Sequence, residues 1–131
     1  MPLRAASTDP AVIDAIKQVI AAQVAAWNAG NHEGFMQGYL KSDDILFLSG
    51  DSITRGWNTV LTRYQQRYPD QASMGTLTIG DLEFNTLAPD TVLVVGRWKV
   101  DTKKHKSQQG VTTLIFRQTP DGWRIMHDHT S

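Results

Sequence analysis

The stretch TLTIGDLEFNTLAPDTVLVVGRWKV, residues 76–100, is where the hydrophobic period of the chain changes from 3.6 to 2. Pro89-Asp90 punctuates it as a tight turn, which predicts strands over 76–87 and 91–103 paired antiparallel. The first of these strands changes face midway. Leu77 and Ile79 fall on odd positions, Leu82 and Phe84 on even ones. A bulge at Gly80-Asp81 reconciles the two runs, and bulged long strands are how a sheet curves. Two more strands follow, over 110–119 and 123–130, joined by the turn Pro120-Asp121-Gly122. The connection KHKSQQG, residues 104–110, is polar and expected to be mobile. The C-terminal half therefore reads as a curved four-stranded meander.

Upstream the period is helical. Asp9 is an N-cap and Pro10 a first helical position. Val12, Ile16, Val19, Ile20, Val24 and Trp27 then recur at three- and four-residue spacing until Gly30-Asn31. A short second helix carries Phe35, Met36, Tyr39 and Leu40. Residues 45–48 and 52–55 form a small hairpin around Gly50-Asp51. A third helix starts near Gly56, with Trp57, Val60, Leu61, Tyr64 and Tyr68 on one stripe, and Pro69-Asp70 stops it. The expected fold class is α+β: one domain over 1–131, with 1–8 as a flexible arm and three helices in the N-terminal half. The sheet has apolar residues on both faces: Leu93 and Val95 share one with Arg97, while Val92, Val94 and Trp98 share the other. Helices can cover only the concave face, so a homodimer through the other sheet face is expected.

Composition narrows the function classes. With 131 residues, 40% hydrophobic and 20% charged, the chain can bury a core without staples. Thirteen basic residues balance thirteen acidic ones, which speaks against a nucleic-acid platform or a polybasic membrane anchor. The absence of cysteine excludes a disulfide framework, a thiolate nucleophile and cysteine-ligated metal. No run of about 18 apolar residues is present to span a bilayer. The opening MPLRAASTDP has no apolar h-region, so no signal peptide is expected. The expected compartment is the cytoplasm, or the periplasm if a leader has been removed.

The segments VAAWNAGNHEGFMQGY (24–39), TRGWNTVLTRYQQRY (54–68), VVGRWKV (94–100) and DGWRIMHDHTS (121–131), in this order and spacing, resemble the nuclear transport factor 2-like superfamily. Its members include ketosteroid isomerase, the SnoaL-like polyketide cyclases and the association domain of calcium/calmodulin-dependent kinase II. The final segment is most similar to bacterial domains of unknown function related to that association domain. The resemblance implies a cone-shaped sheet wrapped on helices, with a pocket between them. It does not fix a reaction, because the superfamily holds both enzymes and binders. The catalytic tyrosine of ketosteroid isomerase falls at Gln23 and its general base near Phe47 or Leu48, so that chemistry does not carry over. Of the association domain's pocket arginines, one is matched by Arg97; the others fall at Leu114 and Thr130.

The last strand carries the candidate chemistry. By alternation Trp123, Ile125, His127 and His129 share one face, and Arg124, Met126, Asp128 and Thr130 the other. The resemblance turns the Asp128 face into the cone and the histidines toward a dimer interface. Asp128 is the acid/base candidate, since burial of a carboxylate suits it to proton transfer near neutral pH. Arg97 is expected either to bind a ligand carboxylate or to pair with Asp128. Tyr64 and Tyr68 are candidate hydroxyl donors, each needing a partner when buried. Trp27, Tyr39, Trp57, Leu114, Phe116, Met126 and Thr130 are the expected pocket wall. His127 and His129 are two apart on a strand and could chelate a metal, but no third ligand is visible, and they read as interface histidines. His32 and His105 are expected in solvated turns, and Lys103, Lys104 and Lys106 on a solvated loop. No metal or cofactor is expected. Two functions remain open: a cofactor-independent pocket for a small apolar or carboxylate-bearing ligand, acting as an isomerase, lyase or hydrolase, and a non-catalytic association or ligand-sensing module.

Overall fold

The computed structural model describes residues 7–103 and 105–131. Of the arm expected over 1–8, only Ser7 and Thr8 are described, and the Thr8 hydroxyl lies 2.9 Å from that of Thr86. Lys104 of the basic loop also lies outside the described residues.

Helix α1 (Pro10–Asn28) starts where Asp9 accepts from the Ala11 amide. It ends because Gly30 adopts φ 75°, a left-handed turn that a side chain would strain. Asn31 then caps α2 (His32–Met36) through the Gly34 amide. The hairpin strands are β1 (Leu46–Ser49) and β2 (Ser52–Arg55), and α3 follows over Trp57–Arg67. A short helix α4 (Gln71–Met74) was not expected. Asp70, read as a stop signal, is instead its N-cap: its side chain accepts from the Ser73 amide at 2.8 Å, and the Asp70 amide donates to the Ser73 hydroxyl.

The long strands are β3 (Thr76–Ala88), β4 (Thr91–Asp101), β5 (Gln108–Thr119) and β6 (Gly122–Thr130). The sheet order is β2-β1-β6-β5-β4-β3, antiparallel throughout except that β1 runs parallel to β6. The fold is α+β, with helices from the N-terminal half packed on one face of a curved six-stranded sheet.

Of the three register shifts in the sheet, the two at Gly80/Glu83 in β3 and at Met126 in β6 bear on which side chains face the site. In β3 the register jumps between Gly80↔Arg97 and Glu83↔Val95, and Asp81 takes φ 53°. This is the bulge that the parity change of the apolar residues predicts. In β6 the pairs Ile115↔His127 and Phe116↔Ile125 leave Met126 unmatched. That second bulge overturns the simple alternation of the last strand. Trp123 and Ile125 are buried in the core on the same side as Asp128, while His127 and His129 face outward. Met126 sits at the bulge and is not a wall residue.

Candidate functional site

The helices and inner sheet face enclose a cavity of about 550 Å³. Its floor is built from buried residues, among them Trp27, Tyr39, Phe47, Leu114, Ile125 and Asp128. Its mouth is marked by exposed or half-exposed lining residues: Ser49, Arg63 and Arg67, with Ser107 from the β4–β5 connection and Gln108 and Gln109 from the start of β5.

Among the described residues the one carboxyl lining this cavity is Asp128, which is 4% exposed. The Tyr39 hydroxyl donates to its Oδ2 at 2.5 Å, and the Thr130 hydroxyl donates to its Oδ1 at 2.5 Å. Thr112 makes a longer contact to Oδ1 at 3.4 Å and lies 2.9 Å from the Thr130 hydroxyl. Burial pushes the carboxyl above the ordinary carboxylate range, and the hydroxyl donors from Thr130, Tyr39 and Thr112 only partly oppose it. The group is thus held by neutral donors, with no guanidinium or ammonium ion-paired to it among the described residues. Such a carboxyl takes up and gives back a proton more readily than a salt-bridged one.

Tyr39 and Tyr64 are both pushed up, first by burial and next by the Asp128 charge. Both phenols stay protonated, and Tyr39 is the one that donates to Asp128. Tyr64 and Tyr68 stand edge-on to Trp27, with ring centroids 5.6 and 5.3 Å away. Trp27 itself is fixed by its indole N–H to the Met74 carbonyl at 2.8 Å.

The structure thus brings together Asp128, Tyr39, Tyr64, Tyr68, Trp27, Leu114 and Thr130 from the expected site. Others fall elsewhere. Arg97 lies on the outer face of β4, its side chain 71% exposed and 3.8 Å from Asp81 at the β3 bulge. It neither reaches Asp128 nor lines the cavity; the inward positions of β4 are the alternate ones, Val94, Trp98 and Val100. Trp57 is buried away from the cavity, donating to the Met36 carbonyl, because seven residues along α3 do not keep it at the height of Tyr64. Phe116 faces inward but is wholly buried beneath the cavity floor. His127 and His129 have no third partner: no cluster of three His, Asp or Glu able to hold a metal occurs among the described residues. His32 is not merely solvated. Its Nε2 lies 2.5 Å from the Tyr68 carbonyl and joins α2 to the end of α3. His105 is exposed, and its amide donates to Thr102.

Sequence reading missed Thr112, although it stands two residues before Leu114 and so shares its face. It also missed Ile125, hidden by the β6 bulge, and Phe35, Phe47 and Gln23 as wall residues. Gln23 is buried, with its amide donating to the Phe35 carbonyl at 3.3 Å.

The family assignment agrees with this geometry. Residues 16–131 match the model of the SnoaL-like domain family, and the chain belongs to it. Within the nuclear transport factor 2-like proteins of known structure, one of unknown function from Shewanella oneidensis MR-1 is 34% identical, over 91% of this chain and 98% of its own, with a TM-score of 0.86. A domain of unknown function with a cystatin-like fold from Nostoc punctiforme is 17% identical, over 95% of this chain and 78% of its own, with a TM-score of 0.78. A candidate dehydratase of the NTF2-like family from Streptomyces avermitilis is 19% identical, over 94% of this chain and 97% of its own, with a TM-score of 0.72. No curated protein matches. No helix of the described residues is long and apolar enough to cross a membrane.

Proposed function

We propose that this protein binds a small, largely apolar molecule in the cone and that Asp128 moves a proton on it without a cofactor, in an isomerase, lyase or hydrolase reaction. The observation that supports this reading is a buried carboxyl, held only by hydroxyl donors, in the wall of an aromatic cavity of about 550 Å³. In the ionised form the carboxylate takes a proton from the ligand. The electron pair left behind moves onto a neighbouring carbonyl oxygen, toward which the Tyr64 hydroxyl donates. The carboxylic acid then returns the proton at another position or to a leaving group. That the Streptomyces avermitilis relative is described as a candidate dehydratase is compatible with such proton traffic.

The test needs no known substrate. Aryl and unsaturated ketones are incubated with the protein in D₂O, and deuterium uptake next to the carbonyl is followed by NMR. Uptake by the wild type with loss in Asp128→Asn supports the reading. Equal uptake in both proteins contradicts it.

A second copy is proposed to cover the outer sheet face. Leu46, Leu48, Leu93, Val95 and Ile115 are neighbours there, with Ile53 69% exposed and Val111 42% exposed. This apolar surface supports the self-association reading without excluding catalysis. Ultracentrifugation should give a dimer for the wild type and a monomer for Ile115→Asp; a monomeric wild type removes the proposal.

A further inference from the structure

The cavity's polarity is uneven. Its single acid is deep, and its cations are at the mouth. Arg63 and Arg67 lie four residues apart on α3, hence on one helix face, and both line the entrance. Each guanidinium is held against an aromatic ring, Arg63 5.6 Å from the Phe47 centroid and Arg67 5.9 Å from that of Tyr68. Arg63 also donates from Nη1 to the Thr54 hydroxyl at 3.2 Å, which ties α3 to β2. Neither belongs to an ion pair among the described residues, where Arg97 and Lys99 each face an aspartate. The rest of the rim offers hydroxyls and amides and no carboxylate: Ser49, Gln108, Gln109, and Ser107, whose hydroxyl donates to Asp101 outside the lining. Apart from the Arg63 bond to Thr54, the N–H groups of these two guanidiniums have no hydrogen-bond or ion-pair partner among the described residues, which leaves them available to a ligand.

We infer that Arg63 and Arg67 clamp the carboxylate of the cavity's ligand, so that the ligand class is a flat, largely apolar acid with its carboxylate at the mouth and its reactive part toward Asp128. This rests on the cavity being the ligand site, as proposed above. The reverse orientation would set two carboxylates side by side in a buried space, which is unfavourable. A carboxylate suits the site better than a phosphate dianion. One Arg63 N–H is already committed to Thr54, so the pair offers the fork of Arg67 and part of that of Arg63 rather than a ring of donors.

The experiment uses 2-naphthylacetate, the neutral 2-naphthylacetamide and 2-naphthyl phosphate, with binding read from the fluorescence of the wall residues Trp27 and Trp98. The proteins are wild type, Arg63→Gln/Arg67→Gln and Arg63→Lys/Arg67→Lys, each checked for an unchanged melting profile. The wild type should bind the acid about tenfold more tightly than the amide. The glutamine double variant should lose that preference while keeping its affinity for the amide, and the lysine variant should keep part of it. A preference that survives the glutamine double variant overturns the inference, as does tighter binding of the phosphate than of the acid. If the wild type binds the amide and the acid equally, the clamp is wrong and the cavity reading stands. If it binds neither, both fall together.

Discussion

The cone has a filled end and a hollow end, built by the same strands. At the filled end Ile16, Met36, Val92, Val94 and Phe116 are essentially without exposure. At the hollow end β4 and β5 present Trp98, Val100, Thr112 and Leu114 to open space, with Asp128, Tyr39, Tyr64 and Tyr68 among the lining. Stability is concentrated in the first and polarity in the second. A buried carboxyl costs stability, and the packed half is what offsets it. The division of labour leaves the hollow end free to vary its chemistry at small cost to the fold.

The largest effect should come from the filled end. Phe116→Ala should cost about 3–5 kcal/mol by chemical denaturation, since it opens a void in close-packed surroundings. Tyr68→Ala at the hollow end should cost about 1 kcal/mol, because its half-exposed ring already borders free space. Equal losses would break the comparison.

A subtler effect is the pH dependence written into Asp128. Its folded pKa is raised by burial above the ordinary 3.8, so the folded state favours the protonated form. That contribution is fully present below pH 3.8 and is lost as pH rises through the folded pKa. Asp128→Asn, which cannot ionise, should therefore gain stability relative to wild type across that window and hold the gain above it. Thermal unfolding of both proteins over the acid-to-neutral range checks this; a difference that does not change with pH contradicts it. The smallest effect belongs to the outer face. Arg97→Gln should change stability by less than about 0.5 kcal/mol and leave ligand binding untouched, because the Arg97–Asp81 pair is solvated.

The two bulges show what a sequence can reveal about such a site. In β3 the apolar residues themselves change parity, from Leu77 and Ile79 to Leu82 and Phe84, so the bulge was legible. In β6 the change runs from apolar Trp123 and Ile125 to polar Asp128 and Thr130, and parity alone reads the two pairs as opposite faces. The β6 bulge brings Ile125 and Asp128 into one cavity, and no local turn residue announces it. The β3–β6 meander, the β1–β2 hairpin and the first three helices were legible because hydrophobic period and caps are local signals. The parallel pairing of β1 with β6 was not, since it depends on a contact about 80 residues away in sequence. Arg97 was misplaced for a related reason: β4 is apolar on both faces, and composition cannot say which faces inward. The inward placement of Asp128 came from the family resemblance and not from its neighbours, which are His127 and His129, whereas Tyr64 and Tyr68 stood out because each hydroxyl needs a partner when buried.

The most direct test is a ¹³C NMR titration of the Asp128 side-chain carboxyl, assigned by comparison with Asp128→Asn. The account predicts that it titrates above the ordinary 3.8 and rises further in Tyr39→Phe, which removes one donor. Titration at or below the ordinary value, unmoved by Tyr39→Phe, would mean a carboxylate locked in its charged form. Asp128 would then be a structural group and the cavity would have no acid/base residue.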